Sequence, residues 1–185
     1  ENLLQQYLPN LDRYIVLSDY DKRDYMEKLG IDCEVKINPR SFVSEKKCDV
    51  KSKRFLMATR FVYAKGLDLM MESFEEFCKE DSEWELDIIG DGDLFDQIRA
   101  DAKKRHLEKR VHFVGYTNEP EKYYLNSSVF LLPSRWEGWP MVIMEAFEFG
   151  LPVIAYHMGA MDLIIDDGKT GFLPEAFDPH KFAQA

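Results

Sequence analysis

The chain has 185 residues, with 24 Lys and Arg against 34 Asp and Glu, a formal charge of -10, 45% hydrophobic and 31% charged residues. That length suits one full domain plus a fragment, and that hydrophobic content suits a packed core rather than a disordered polyelectrolyte. The acidic balance excludes a footprint for nucleic acid. No apolar run approaches the roughly 20 residues of a membrane span, and Cys33, Cys48 and Cys78 are spaced for neither a disulfide framework nor a zinc knuckle.

Residues 14–17 read as a strand, and Ser18 with Asp21 three residues later reads as a shortened capping box for a helix ending at Gly30. A second strand is predicted over 33–37. Residues 39–52 carry Pro39, Ser41, Ser44 and a charged cluster without apolar periodicity, which is the composition of a linker. From there the pattern alternates. Strands are predicted at 55–58, 84–89, 111–114, 129–132 and 152–155, with helices at 67–79, 93–106, 119–125 and 140–149. A helical turn follows at 161–165, and Asp178-Pro179 marks the start of another helix.

Continuously apolar strands joined by helices rather than hairpins imply a parallel sheet covered on both faces, an α/β, Rossmann-like doubly wound domain. Ligands of such sheets sit beyond the carboxyl ends of the strands, so the strand-to-helix loops are where chemistry is sought. The expected organisation is a fragment over 1–38, a linker over 39–52, and a main domain over 53–185. A chain that opens at Glu1 and stops soon after a helix-start signal reads as a piece of a longer protein.

Two loops stand out. The first presents Arg60 just after a strand and Lys65 just before Gly66 at a helix start, where the helix dipole disfavours a cation unless an anion sits between. An Arg fork and a Lys ammonium together suit a diphosphate. The second is Glu137-Gly138-Trp139-Pro140-Met141-Val142-Ile143-Met144-Glu145, a turn entering a helix that is apolar around most of its circumference. A carboxylate on such a helix needs a partner, either a ligand hydroxyl or a cation. The eight-residue spacing alone decides nothing, because Glu72/Glu80 and Glu75/Glu83 share it. At this level the plainer assignments, surface cations and structural ion pairs, stay open.

Arg60, Lys65-Gly66, Ile89-Gly90-Asp91-Gly92, Val114-Gly115, Leu132-Pro133-Ser134, the two glutamates, the run from Gly150 to Ala155, Gly159 and the run from Asp166 to Phe172 occur in this order. Together they resemble the retaining glycosyltransferases of GT-B fold in glycosyltransferase family four (glycosyl transferases group 1), specifically their C-terminal donor-binding domain. Residues 14–38 look similar to the end of that family's first domain. The resemblance implies that Arg60 and Lys65 neutralise the donor diphosphate, that Glu137 faces the transferred sugar, and that Glu145 hydrogen-bonds the ribose. It further implies donor contacts at Gly90, around Gly115 and Tyr116 for the base, and along Gly138, Trp139, Pro140, Met141 and Val142. No metal and no cofactor beyond the nucleotide-diphosphate sugar is implied, and UDP or GDP is favoured over ADP.

The implied partners are that donor and a glycan or lipid-linked acceptor, bound mainly by a domain this chain lacks, so the fragment alone is expected to be inactive. The implied setting is cytoplasmic, with room for peripheral association of the full-length protein at the inner face of a membrane. Thr59, Ala64, Asn38-Pro39-Arg40 and Met161-Asp162 depart from the family pattern. A non-catalytic nucleotide-sugar-binding or interaction module is the alternative. Asp91-Gly92-Asp93 also suggests a metal motif, but Asp93 reads better as an N-cap, and Phe95 stands where a dinucleotide fingerprint needs its third Gly. His157 reads as an ordinary loop residue.

Overall fold

A computed structural model describes residues 8, 11–40, 43–81 and 83–185. Parts of the expected first fragment, 1–7 and 9–10, and positions 41–42 of the expected linker lie outside the described residues. The chain divides into two compact units, Glu1–Pro39 and Arg40–Ala185.

In the first unit, β1 (Ile15–Val16) and β2 (Glu34–Val35) pair in parallel across helix α1 (Asp19–Leu29). Ser18 caps α1 by accepting the Asp21 N–H at 3.1 Å, and its own hydroxyl donates to the Asp21 carboxylate at 2.7 Å. Gly30 ends the helix in the left-handed region, φ 68°.

The second unit holds a six-stranded sheet in the order β5-β4-β3-β6-β7-β8, parallel throughout. Its strands are β3 (Arg54–Ala58), β4 (Glu85–Ile89), β5 (Val111–Gly115), β6 (Val129–Leu132), β7 (Val153–Ala155) and β8 (Gly171–Phe172). The helices are α2 (Leu67–Phe77), α3 (Phe95–Lys104), α4 (Glu121–Leu125), α5 (Met141–Phe149) and α6 (Pro179–Gln184). The chain winds outward from β3 to β5 and then returns to place β6 on the other side of β3. That reversal makes a crevice at the carboxyl ends of β3 and β6, the switch point of a doubly wound sheet.

Alternation along the central strands builds two cores. Phe55 and Met57 of β3 face one cluster with Met70, Phe74 and Ile98, while Leu56 faces the other with Phe130, Ile143 and Phe149. Leu56 and Phe130 are fully buried, and sealing each such side chain contributes about 2–3 kcal/mol. Asp87 of β4 is 5% exposed, and Arg54 compensates it at 2.8 Å.

Residues 43–52, read as linker, hydrogen-bond to the main domain: Cys48 N–H donates to the Phe149 carbonyl at 2.8 Å and Ser44 N–H to Glu148 at 3.2 Å. One expectation needs correcting. Asp93 does not cap α3; Leu94 occupies the cap position with no side-chain bond, and the loop is held instead by Leu94 N–H on the Phe61 carbonyl at 3.0 Å. The strand β8 carries no sequence signal of its own, being two residues long. Among the described residues no helix is long and apolar enough to cross a membrane.

Candidate functional site

After β3 the chain runs beside the β4 loop, with Thr59 N–H on the Ile89 carbonyl and Phe61 N–H on Asp91, both at 2.9 Å. It then makes one 3-10 turn, Tyr63–Lys65, which Gly66 closes at φ 63° while also opening α2. Gly66 is required twice over. Its φ is left-handed, and a Cβ there would stand 1.9 Å from the Pro133 carbonyl oxygen, beyond β6. The loop carrying Lys65 is therefore pressed against the loop carrying Glu137.

Arg135 fastens the two loops together. Its backbone N–H donates to Ala64 at 2.8 Å, and its guanidinium donates to the Tyr63 carbonyl at 2.9 Å and forks onto Asp68 at 2.8 and 2.6 Å. It also lies 3.9 Å over the Tyr63 ring. The Arg135 hydrogen bond holds the Asp68 carboxyl below the usual carboxylate range, burial opposing it.

Across this joint, Lys65 Nζ meets Glu137 Oε1 at 2.6 Å, and the Ser134 hydroxyl donates to the same oxygen at 2.7 Å. The Glu137 side chain is 9% exposed and that of Lys65 19%. Glu137 Oε2 has no hydrogen-bond partner among the described residues. Arg60 is exposed, and its side chain makes no ion pair or hydrogen bond among them. Arg60 and Lys65 line one hollow of about 340 Å³, whose floor includes Gly90, Leu132 and Val142 and whose rim includes Tyr116. Gly115, at φ 78°, delivers that rim: its carbonyl accepts the Gly90 N–H at 2.9 Å, and Tyr116 stands 78% exposed.

Gly138, Trp139 and Pro140 form the turn into α5, and Pro140 is the buried, extended residue before the helix. No side chain caps this end. The Met141 and Val142 amides therefore have no acceptor inside the helix, while the Ile143 N–H donates to the Pro140 carbonyl at 3.1 Å. The Trp139 indole Nε1 is buried without a partner. One turn further, Glu145 lines a second hollow of about 760 Å³, which shares Pro120 with the first. There Glu145 Oε2 accepts the Tyr124 hydroxyl at 2.9 Å.

The structure brings together in the first hollow, or in direct contact with it, the predicted Arg60, Lys65, Gly90, Tyr116, Glu137 and Val142. It sets Glu145 next door, beside α4. Sequence reasoning passed over Ser134 as a Glu137 partner, Arg135 as a fastener, and Tyr124. The Arg135–Asp68 pair lies 67 positions apart, beyond any periodic signal, whereas the odd cation after Ser134 in a loop entering a buried helix was a readable hint.

A Haemophilus influenzae protein described as an uncharacterized glycosyltransferase is 29% identical over 167 residues, 89% of this chain and 47% of that protein. The Erwinia amylovora amylovoran biosynthesis glycosyltransferase AmsD is 34% identical over 120 residues, 64% of this chain and 34% of that protein. Among solved structures, a variant of S. aureus TarM in complex with fondaparinux, alpha-GlcNAc-glycerol and UDP superposes with a TM-score of 0.86 at 23% identity, covering 99% of this chain and 38% of that one. The chain spans about half, or less, of the length of the relatives it matches, and its six-stranded parallel α/β fold matches part of a GT-B glycosyltransferase structure. A family model for glycosyl transferases group 1 matches residues 41–185. The chain belongs to that family.

Proposed function

We propose that residues 40–185 bind the donor of a retaining glycosyltransferase of family four, one that moves a hexosyl-type sugar from a nucleoside diphosphate to a glycan or lipid-linked acceptor. The observation that carries this reading is the switch-point hollow, where an unpaired Arg60 and a Lys65 held on Glu137 converge. A diphosphate entering there meets a free guanidinium and an ammonium that already lies in place. As the anomeric bond breaks, negative charge grows on the departing nucleoside diphosphate, and preorganised cations stabilise it most at that moment. Uncapped amides at the start of α5 add a partial positive charge on the same side.

In this reading Glu137 keeps one oxygen on Lys65 and Ser134 and turns the other toward the transferred sugar. Gly138, Trp139, Pro140, Met141 and Val142 line the donor's path, with the buried Trp139 N–H as an open donor. Gly115 and Tyr116 border the base, and Glu145 takes the ribose hydroxyls. UDP or GDP is favoured over ADP as the nucleotide, with no metal or further cofactor, and the full-length protein works in the cytoplasm or at the inner face of a membrane. A relative named for amylovoran biosynthesis supports a glycan or lipid-linked acceptor. The rival reading is a nucleotide-sugar-binding or interaction module without turnover in the full-length protein.

The test is a thermal-shift panel of UDP-, GDP- and ADP-sugars on this chain, where a ligand at 100 times its Kd stabilises by about 2.7 kcal/mol. Arg60→Ala and Lys65→Ala are each expected to remove most of the shift; a shift unchanged in both would sink the clamp. For the full-length protein, the anomeric configuration of the product, read by NMR, decides retention, and turnover by the intact enzyme decides against the module.

A further inference from the structure

Glu145 has a partner that the family motif does not name. Tyr124, at the end of α4, is 1% exposed, and its ring is stacked between Phe130 (centroids 5.8 Å apart, planes at 10°) and Phe149 (5.1 Å, 18°). Buried and stacked on two aromatic neighbours, the ring is confined, which holds its hydroxyl 2.9 Å from Glu145 Oε2. Glu145 Oε1 has no hydrogen-bond partner among the described residues, and the carboxylate borders the hollow of about 760 Å³ that adjoins the cationic one.

We propose that Tyr124 is a positioning residue for the nucleotide: its hydroxyl fixes one oxygen of Glu145 so that the other meets the vicinal hydroxyls of the donor's ribose. The proposal rests on the assignment of Glu145 to the ribose made above, and it adds what makes that carboxylate a good acceptor. Two properties of a buried phenol matter. It is neutral, so it orients the carboxylate without cancelling its charge, as a Lys or Arg in the same place would. It also stays protonated, because burial first and the facing Glu145 second push its ionisation far above the ordinary tyrosine range. A glutamate left to itself loses side-chain freedom when a ligand arrives, and a carboxylate already held avoids most of that loss.

The experiment is calorimetric titration of the chain with whichever of UDP, GDP and ADP it binds, and with the 2′,3′-dideoxy counterpart of that nucleotide. Wild type is expected to prefer the ribose form. Tyr124→Phe keeps the aromatic stack and is expected to raise Kd for the ribose form by about 5-fold, the net scale of one ordinary hydrogen bond, while leaving the dideoxy form unchanged. In a Glu145→Ala background the same substitution should change neither Kd, since the residue acts only through Glu145. Equal weakening of both nucleotides by Tyr124→Phe, or no weakening of either, overturns the positioning role while the ribose assignment stands. If wild type and Glu145→Ala both fail to distinguish the two nucleotides, the ribose assignment itself falls, and the positioning role with it. Melting curves of the unliganded proteins confirm that each variant is folded before titration.

Discussion

Glu137, in the loop before α5, and Glu145, within α5, stand eight residues apart, yet the fold treats them in opposite ways. Glu137 is matched by a cation and a hydroxyl on a single oxygen, across a joint between two loops. Glu145 is matched by a neutral phenol from the helix beside it. A carboxylate paired with Lys is electrostatically answered before any ligand arrives, and its cation can be shared with an incoming phosphate. One held by Tyr keeps its whole charge for a hydroxyl-bearing ligand. The same residue type, on the same motif, is thereby set up for two different parts of one molecule.

The contrast can be broken most severely at Gly66. Gly66→Ala introduces a methyl at φ 63° and 1.9 Å from the Pro133 carbonyl, so the joint must open. We expect a loss of about 3 kcal/mol or more in denaturant unfolding and loss of nucleotide binding. A variant as stable as wild type would show the two loops are not in enforced contact.

Next in size is Lys65→Ala. It leaves Glu137, 9% exposed, without its cation, and we expect about 2 kcal/mol of destabilisation, below the ~3–5 kcal/mol of a fully buried pair because Lys65 is itself part-exposed. Glu137→Gln added to Lys65→Ala should recover part of that loss, giving a coupling of about 1–2 kcal/mol in a double-mutant cycle. The Tyr124/Glu145 cycle, lacking an ion pair, should give less; equal couplings would erase the distinction drawn between the two glutamates.

The smallest effect is a pH dependence at the fastener. Asp68 has its ionisation lowered in the folded chain by Arg135, from an ordinary value of 3.8. A depressed folded value means the stabilisation is full above the unfolded value and is lost as pH falls through 3.8 and below. The stability gap between wild type and Asp68→Asn should therefore shrink as pH is lowered from 6 toward 3; a constant gap would dissociate Asp68 from Arg135. Asp68 is half-exposed, so the change is expected to be modest.

Much of the architecture was legible because its signals are local. Val129 to Leu132, apolar without a break, could only be a covered strand, and Gly30, Gly66 and Gly150 punctuate helices at the places where a left-handed residue is needed. The site was legible only as separate pieces. Nothing in sequence places Lys65 on Glu137, 72 positions away; their meeting depends on β6 returning to lie against β3. Tyr124 was passed over because a tyrosine next to another in a short helix looks like packing, and it is packing, apart from one oxygen. Asp93 failed as a cap because the helix starts one residue later, after Leu94, whose N–H is held by the Phe61 carbonyl far away in sequence.

The strand order has a consequence for how the site is born. A ribosome delivers β3, β4 and β5 first, and these can pair while the side of β3 meant for β6 is still open. At that stage Arg60 and Lys65 exist, but their carboxylate counterparts have yet to emerge. Only when the chain doubles back with residues 129–149 do opposite charges face one another. Nucleotide affinity should therefore appear late in synthesis and abruptly, and a protease cut between β5 and β6 would leave a half-sheet that has cations and nothing to aim them.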